Sequence, residues 1–350
     1  MTAVSLAPAT RFTLPPDAAA TAPPERRGLA RDGVRLLVAR PSSIEHTRFH
    51  DLTDHIGPGD VVVVNTSATL PAALDGTRSD GTPVPVHVST RLDDGDWIVE
   101  LRRTDGHGPD VNVEPGDVIT LPAEARLSLV WPYPDPDALS SRLWRATVTP
   151  DVDVVEYLTQ HGRPIRYGYV DQHFPLADYQ TVFANEPGSA EMASAGRPFT
   201  PELLVRLLAS GVSVVPIVLH TGVSSPELHE PPTPERFAVP AATAEQVTAA
   251  HAAGRRVIAV GTTVTRALET AASPDGTLSA SEGWTDLVLG PDHPARVVNG
   301  LITGLHPPEA SHLLLLEAVA GPELVGSAYD AAVRQRYRWH EFGDSMLFLP

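Results

Sequence analysis

The chain has 350 residues, 42% of them apolar, and a formal charge of −17; that length and composition are enough for two packed domains and argue against a disordered chain. It contains no cysteine, and all 26 basic residues are arginine, which excludes disulfides, thiolate nucleophiles, iron–sulfur clusters, Schiff-base lysines and the lysine of a P-loop. The negative charge repels a polyanion over most of the surface and confines any nucleic-acid contact to a local arginine patch.

Residues 1–10 show no basic segment followed by an apolar core, and no apolar run reaches bilayer length, so a soluble, cytoplasmic protein without a membrane partner is expected. Residues 15–25, rich in Pro and Ala, read as an irregular lead-in. Arg26, Arg27, Arg31, Arg35 and Arg40 form one candidate RNA patch and Arg334, Arg336 and Arg338 another; the alternative is ordinary pairing on a solvated face. Residues 34–39 and 60–65 read as short buried strands. From about 70 to 148 the character changes, with strands expected at 84–89, 96–101, 117–121, 125–130 and 143–148. Even spacing without helical periodicity points to a small antiparallel barrel or sandwich.

Further on, a strand at 212–219 ends at His220, and an Ala-rich helix covers 242–253. A strand at 257–260 runs into Gly261-Thr262-Thr263 and a helix to about Ala271. A strand at 297–302 leads through 303–308 into a helix at 309–319, with Pro308 before it and Glu309 in its first turn; a last strand covers 345–349. Strands alternating with helices imply an α/β fold with a mostly parallel, helix-covered sheet. The expected organisation is an α/β domain of residues 1–67 and 151–350, interrupted by a β-barrel-like domain at 68–150. Its chemistry belongs at the carboxyl ends of the parallel strands, near the cleft between domains.

His220, Gly261-Thr262-Thr263 and His306 each follow a strand, which sets them along one sheet edge. A Gly-Thr-Thr turn opening a helix offers N–H groups, hydroxyls and a positive dipole end to a carboxylate, phosphate or ribose hydroxyl; it serves equally as a plain N-cap. Arg266, one turn later, either reaches back over the same anion or pairs with Glu269 or Glu317. A strand-end histidine can move a proton near neutrality or be structural. His340, Glu341 and Asp344 lack metal-ligand spacing, so no metal is expected. No Rossmann glycine fingerprint and no nucleophile elbow is present.

Several segments, taken in order, carry a resemblance: residues 179–184 with Tyr179 and Gln180, Ala195-Gly196 with Phe199-Thr200, Leu219-His220-Thr221-Gly222, residues 259–263 with Arg266, Leu268 and Glu269, Gly283-Trp284-Thr285-Asp286, Gly300-Leu301-Ile302-Thr303 with His306 and Pro308, and Tyr337-Arg338 with Gly343-Asp344. From about residue 31 to the C-terminus the chain resembles the S-adenosylmethionine:tRNA ribosyltransferase-isomerase family. The resemblance implies an α/β domain interrupted by a β-barrel. It also implies transfer of the ribosyl carbons of S-adenosylmethionine, a consumed co-substrate with no other cofactor, to the aminomethyl group of a 7-deazaguanine in tRNA, giving epoxyqueuosine, adenine and methionine.

Because the sulfonium acidifies the C5′ hydrogens, His220 is the expected base and His306 the acid for adenine departure. Gly261, Thr262, Thr263 and Arg266 are expected to hold the methionine carboxylate or ribose oxygens, and Asp344 the substrate ammonium. Tyr179, Gln180, Glu235 and Arg338 complete the expected binding set. Departures from the family pattern fall at Asn65-Thr66-Ser67-Ala68 (Asn-Asp-Thr-Arg in the family) and at Ala73 (arginine). Others are Glu191 (alanine), Pro198 and Thr233 (histidines), and Asn299, Gly304, Leu305, Pro307 and Glu309. The lost basic residues weaken tRNA contacts most, which leaves open a divergent paralogue with a small-molecule acceptor, or a non-catalytic S-adenosylmethionine- or RNA-binding relative.

Overall fold

The computed structural model describes residues 7–106, 108–139, 141–170, 172–224, 232–290, 293–308 and 310–350; Glu309, expected in a helical first turn, lies outside them. The chain begins with a hairpin, β1 (Arg35–Arg40) and β2 (Ser43–Arg48), followed by β3 (Val61–Asn65) and the short β4 (Ser67–Thr69). Six strands then close on themselves: β5 (Ala73–Arg78), β6 (Pro83–Arg91), β7 (Trp97–Leu101), β8 (Val118–Thr120), β9 (Arg126–Tyr133) and β10 (Leu143–Thr149). They form an antiparallel barrel in the order β10-β7-β6-β5-β8-β9. Closure leaves no free sheet edge. Trp97, Val99, Leu101, Leu127, Leu129 and Trp144 fill the barrel's interior, and the same cluster runs on to Tyr157, Ile165, Tyr167, Ala190 and Val223 beyond the barrel strands.

The return to the main sheet passes α1 (Val154–His161), capped by the Asp153 side chain on the Glu156 amide at 2.8 Å, then β11 (Glu186–Ser189), paired with β4. In α2 (Pro201–Ala209), Pro201 occupies the first turn and the Thr200 hydroxyl accepts from the Leu203 amide at 3.2 Å, so both the start and its first free donor are set by sequence. There follow β12 (Ser213–Leu219), β13 (Glu235–Val239), α3 (Ala241–Ala252), β14 (Val257–Val260), α4 (Thr262–Ala271), β15 (Ser281–Thr285), β16 (Gly300–Gly304), α5 (Ser311–Ala320), α6 (Pro322–Arg334) and β17 (Ser345–Phe348).

Nine strands among the described residues form one sheet in the order β15-β13-β12-β3-β14-β16-β17-β1-β2. Its centre, β12-β3-β14-β16, is parallel, and so is the β17-β1 pair; β13 and β15 on one side, β2 on the other and the β16-β17 contact are antiparallel. The Val61–Asn65 run is buried throughout because both faces are covered. Val61, Val63, Ala259 and Leu301 face α3, α4, α5 and α6, while Val62, Val64, Ile258 and Ile302 face α2 and the Phe49–Asp54 turn. Each such side chain contributes about 1.5–3 kcal/mol relative to exposure.

Two expected elements start later than the pattern predicts. The amides of Arg296, Val297 and Val298 donate to the Glu269 carboxylate at 2.8–2.9 Å instead of joining the ladder, so the strand begins at Gly300. The following helix begins at Ser311, after Ala310 in extended conformation. No helix among the described residues is long and apolar enough to cross a membrane.

Candidate active site

The carboxyl ends of β12, β14 and β16 open onto a cavity of about 300 Å³ that the barrel side closes with Arg142, Ile165 and Tyr167. The sheet side supplies Thr221–Ser224 after β12, Gly261–Thr263 at the start of α4, and Thr303–Pro307 at the end of β16 and just beyond it. Of the residues expected from sequence, Tyr179, Glu235, Gly261, Thr262, Thr263, Arg266 and His306 line it. Burial pushes the Tyr179 phenol up to about 12, so it stays a neutral donor.

At the α4 end, Gly261 sits at φ 95°, a region that side chains disfavour, and its amide donates to the Ile302 carbonyl at 2.8 Å. This ties β16 to the turn and leaves the first amides of α4 facing the cavity with no carbonyl one turn back. The Thr263 hydroxyl is buried there without a partner. Together these groups form an anion-accepting end, suited to a carboxylate or ribose oxygens.

Arg266, expected to reach the same anion, is engaged elsewhere. It donates to Glu235, to the Leu287 carbonyl at 3.0 Å, to the Thr285 carbonyl at 3.1 Å and to the Thr233 carbonyl at 3.3 Å. Glu235 also accepts from the Gly222 amide at 3.0 Å. Burial raises its carboxyl and Arg266 pulls it back. Glu269 and Glu317, the other carboxylates considered for Arg266, bind main-chain amides at 296–298 and 9–10. The pair is therefore a brace between β13, β15 and α4.

The third wall holds acids and bases shifted toward their neutral forms. Burial, with His312 and His340 nearby, drives His306 well below its usual range; its Nε2 hydrogen-bonds the Thr303 hydroxyl at 3.0 Å and its ring stacks on His312 at 4.5 Å. Burial lowers His312 and His340 to about 4. Burial thus favours the neutral form of all three rings in the ligand-free cavity. Burial instead raises Glu191 to about 8, against the Tyr167 hydroxyl and the Ser224 amide that donate to it. Glu341, raised by burial, accepts from the Tyr169 hydroxyl at 2.7 Å.

Four expected residues lie outside the cavity lining. His220 packs on Gly188, where a Cβ would come within 2.4 Å of the ring, and its Nδ1 hydrogen-bonds Ser67 at 2.8 Å. Burial, then Arg236, lowers its pKa. Gln180 brackets Thr69 with both ends of its amide, at 2.8 and 2.9 Å. Asp344 accepts from the Arg35 amide at 2.8 Å on one oxygen, and from the Arg35 Nε at 3.0 Å and the Arg338 amide at 2.8 Å on the other. Arg338 donates to the Asp17 carbonyl. Of the N-terminal arginines, Arg26 pairs with Asp178, Arg31 with Glu25, Arg35 with Asp344 and Arg40 with Glu45, while Arg27 donates to the Phe342 carbonyl at 2.6 Å.

With this geometry in place, comparison with known proteins is decisive. The family described as "Queuosine biosynthesis protein" matches residues 9–348. The chain is 36% identical over 360 residues to the S-adenosylmethionine:tRNA ribosyltransferase-isomerase of Moorella thermoacetica, covering 97% of this chain and 98% of that one. It is 36% identical over 354 residues to the Thermus thermophilus protein of the same name, with the same coverage. A solved S-adenosylmethionine tRNA ribosyltransferase from Thermotoga maritima aligns with TM-score 0.53 at 29% identity, over 97% of this chain and 99% of its own. The chain belongs to the queuosine biosynthesis protein family.

Set within the queuosine family, the departures noted in the sequence have definite places. Thr233 offers its carbonyl to Arg266, Ala73 pairs its backbone with Arg163, and Glu191 adds a carboxyl to the cavity wall. Sequence reasoning did not reach Tyr167, Tyr169 or His312, and treated His340 and Glu341 only as a rejected metal cluster. Among the described residues no three acidic or histidine side chains are grouped to hold a metal. The available signal was His312, six residues after His306 in the first turn of a helix; the tyrosines, far away in sequence, gave none.

Proposed function

We propose that the chain transfers and isomerises the ribosyl moiety of S-adenosylmethionine onto a 7-aminomethyl-7-deazaguanine in tRNA, leaving epoxyqueuosine and releasing adenine and methionine. The observation carrying this reading is 36% identity, over nearly the full length, to enzymes named for that reaction. The cavity supports it, because the resembling residues Thr221, Gly222, Gly261, Thr262, Thr263, Arg266, Thr303 and His306 line its wall. S-adenosylmethionine is consumed as co-substrate, and the chemistry calls for no resident cofactor or metal. A tRNA-modifying role calls for a cytoplasmic protein. In this reading residues 68–150 are an inserted barrel unit, and 1–67 with 151–350 the catalytic unit.

The anion end at Gly261–Thr263 takes the methionine carboxylate or ribose oxygens. The sulfonium makes the C5′ hydrogens acidic, and the neutral His306–His312 pair accepts one of those protons. His220 acts behind the wall as a positioning residue, holding Ser67 and the β11–β12 approach, and Asp344 anchors the C-terminal turn to β1.

The test is incubation with S-adenosylmethionine and tRNA carrying the aminomethyl-deazaguanine, following adenine and methionine by chromatography and tRNA nucleosides by mass spectrometry. Stoichiometric adenine with epoxyqueuosine is expected. Adenine release with unchanged tRNA would redirect the assignment to another acceptor, and absence of release would end the enzymatic reading.

A further inference from the structure

Three separate stretches of chain build one acidic, aromatic wall of the cavity. Tyr167 and Tyr169 stack at 6.0 Å between centroids, and Tyr169 stacks on His340 at 4.0 Å and 11°. Each tyrosine hydroxyl donates to a carboxyl, Tyr167 to Glu191 and Tyr169 to Glu341. Neither carboxyl forms an ion pair with a basic side chain among the described residues. Arg266 is bonded to Glu235, and Arg102 and Arg142, the arginines nearest the barrel mouth, each donate to Glu100 at 2.9 Å.

Burying two carboxyls near each other without a counter-charge is costly, and a cation arriving between them would remove that cost. Carboxyl oxygens backed by aromatic rings suit a charge spread over a polarisable centre with C–H substituents, the Arg102 guanidinium already lying over the Tyr167 ring at 5.8 Å. A primary ammonium instead needs close acceptors for three N–H groups. At the far end of the same segment, Ala195 lies against Gly261 and the anion-accepting start of α4. The cavity thus has one end suited to negative charge and another suited to positive charge.

We propose that Glu191 and Glu341, backed by Tyr167, Tyr169 and His340, form a sulfonium-recognising subsite that distinguishes a sulfonium ligand from its neutral thioether. The inference rests on the reading of the cavity as the S-adenosylmethionine site, and it assigns which wall faces the sulfur.

The experiment is calorimetric titration of the full-length protein with S-adenosylmethionine and, separately, with S-adenosylhomocysteine, which differs by the methyl group and the charge. Wild-type protein, Glu191→Gln and Glu341→Gln are compared. Each substitution is expected to weaken S-adenosylmethionine about tenfold and to leave S-adenosylhomocysteine within about twofold, a retention that also reports an intact fold. Equal weakening of both ligands would overturn the proposal, because the carboxyls would then serve the shared amino or adenosine groups; so would an unchanged ratio. Failure of wild-type protein to bind either ligand would instead remove the functional reading, and this inference with it.

Discussion

Arg266 and Glu235 pair inside the cavity wall, joining α4 to β13 while the remaining guanidinium contacts hold carbonyls of β15 and its flanks. The arginine is 5% exposed, so removing either partner leaves the other as a poorly solvated charge in the wall. Arg266→Ala is expected to lower unfolding stability by about 3–5 kcal/mol, read from urea denaturation. Glu235→Gln, which keeps an acceptor and leaves no buried anion, costs less. An Arg266→Ala variant as stable as wild type, with only a raised KM for S-adenosylmethionine, would restore the ligand-binding role first expected for it.

Asp344 makes a second separation of structure from chemistry testable. Asp344→Asn weakens bonds to Arg35 and to the Arg338 amide, each a hydrogen bond with a charged partner worth about 1.5–3 kcal/mol. The expected outcome is a lower melting temperature with kcat of the folded fraction close to wild type. A large fall in kcat at unchanged melting temperature would return Asp344 to the reaction.

The two histidine positions are distinguished by single-turnover adenine release. His312→Gln removes a neutral ring from the cavity and is expected to slow release about 10²–10⁴-fold. His220→Asn, behind the lining, should stay within about tenfold of wild type. The reverse order would make His220 the base.

Glu191 sets a pH dependence for the ligand-free protein. Its carboxyl, raised from 4.5 to about 8, is protonated in the folded state at pH values where the unfolded chain has released that proton. Folding takes up a proton, and the contribution to stability, fully present below 4.5, is lost as pH rises toward 8. His306, His312 and His340, shifted downward, contribute the opposite slope, which is complete once pH exceeds 6.5. Between pH 6.5 and 8 stability should therefore fall by about 1.4 kcal/mol per unit at most, and Glu191→Gln should flatten that decline in chemical denaturation. A flat wild-type profile over the same window would show that Glu191 ionises normally.

The apolar valine runs, the evenly spaced barrel strands and the Gly-Thr-Thr turn are legible in sequence because local pattern alone sets them. The two outer strands on one side, β13 and the edge strand β15, are not: Glu235, Arg236 and Glu282 break the apolar pattern there. Arg266 and Asp344 look like ligand-binding groups until their partners are seen, because Glu235 is 31 positions from the one and Arg35 309 from the other. The acidic wall is hidden for the same reason. Tyr167 meets Glu191 and Tyr169 meets Glu341 only after the barrel and the sheet are brought together.

The position of β17 has a consequence for how the molecule is made. Residues 345–348 lie between β16 and β1, near the middle of the sheet, yet they leave the ribosome after every other strand described. Until they pair with it, β16, whose Thr303 and Gly304 reach the cavity, is held from the β14 side alone. The side of the cavity carried by β16 therefore depends on the last strand of the chain, although that strand contributes no side chain to the lining.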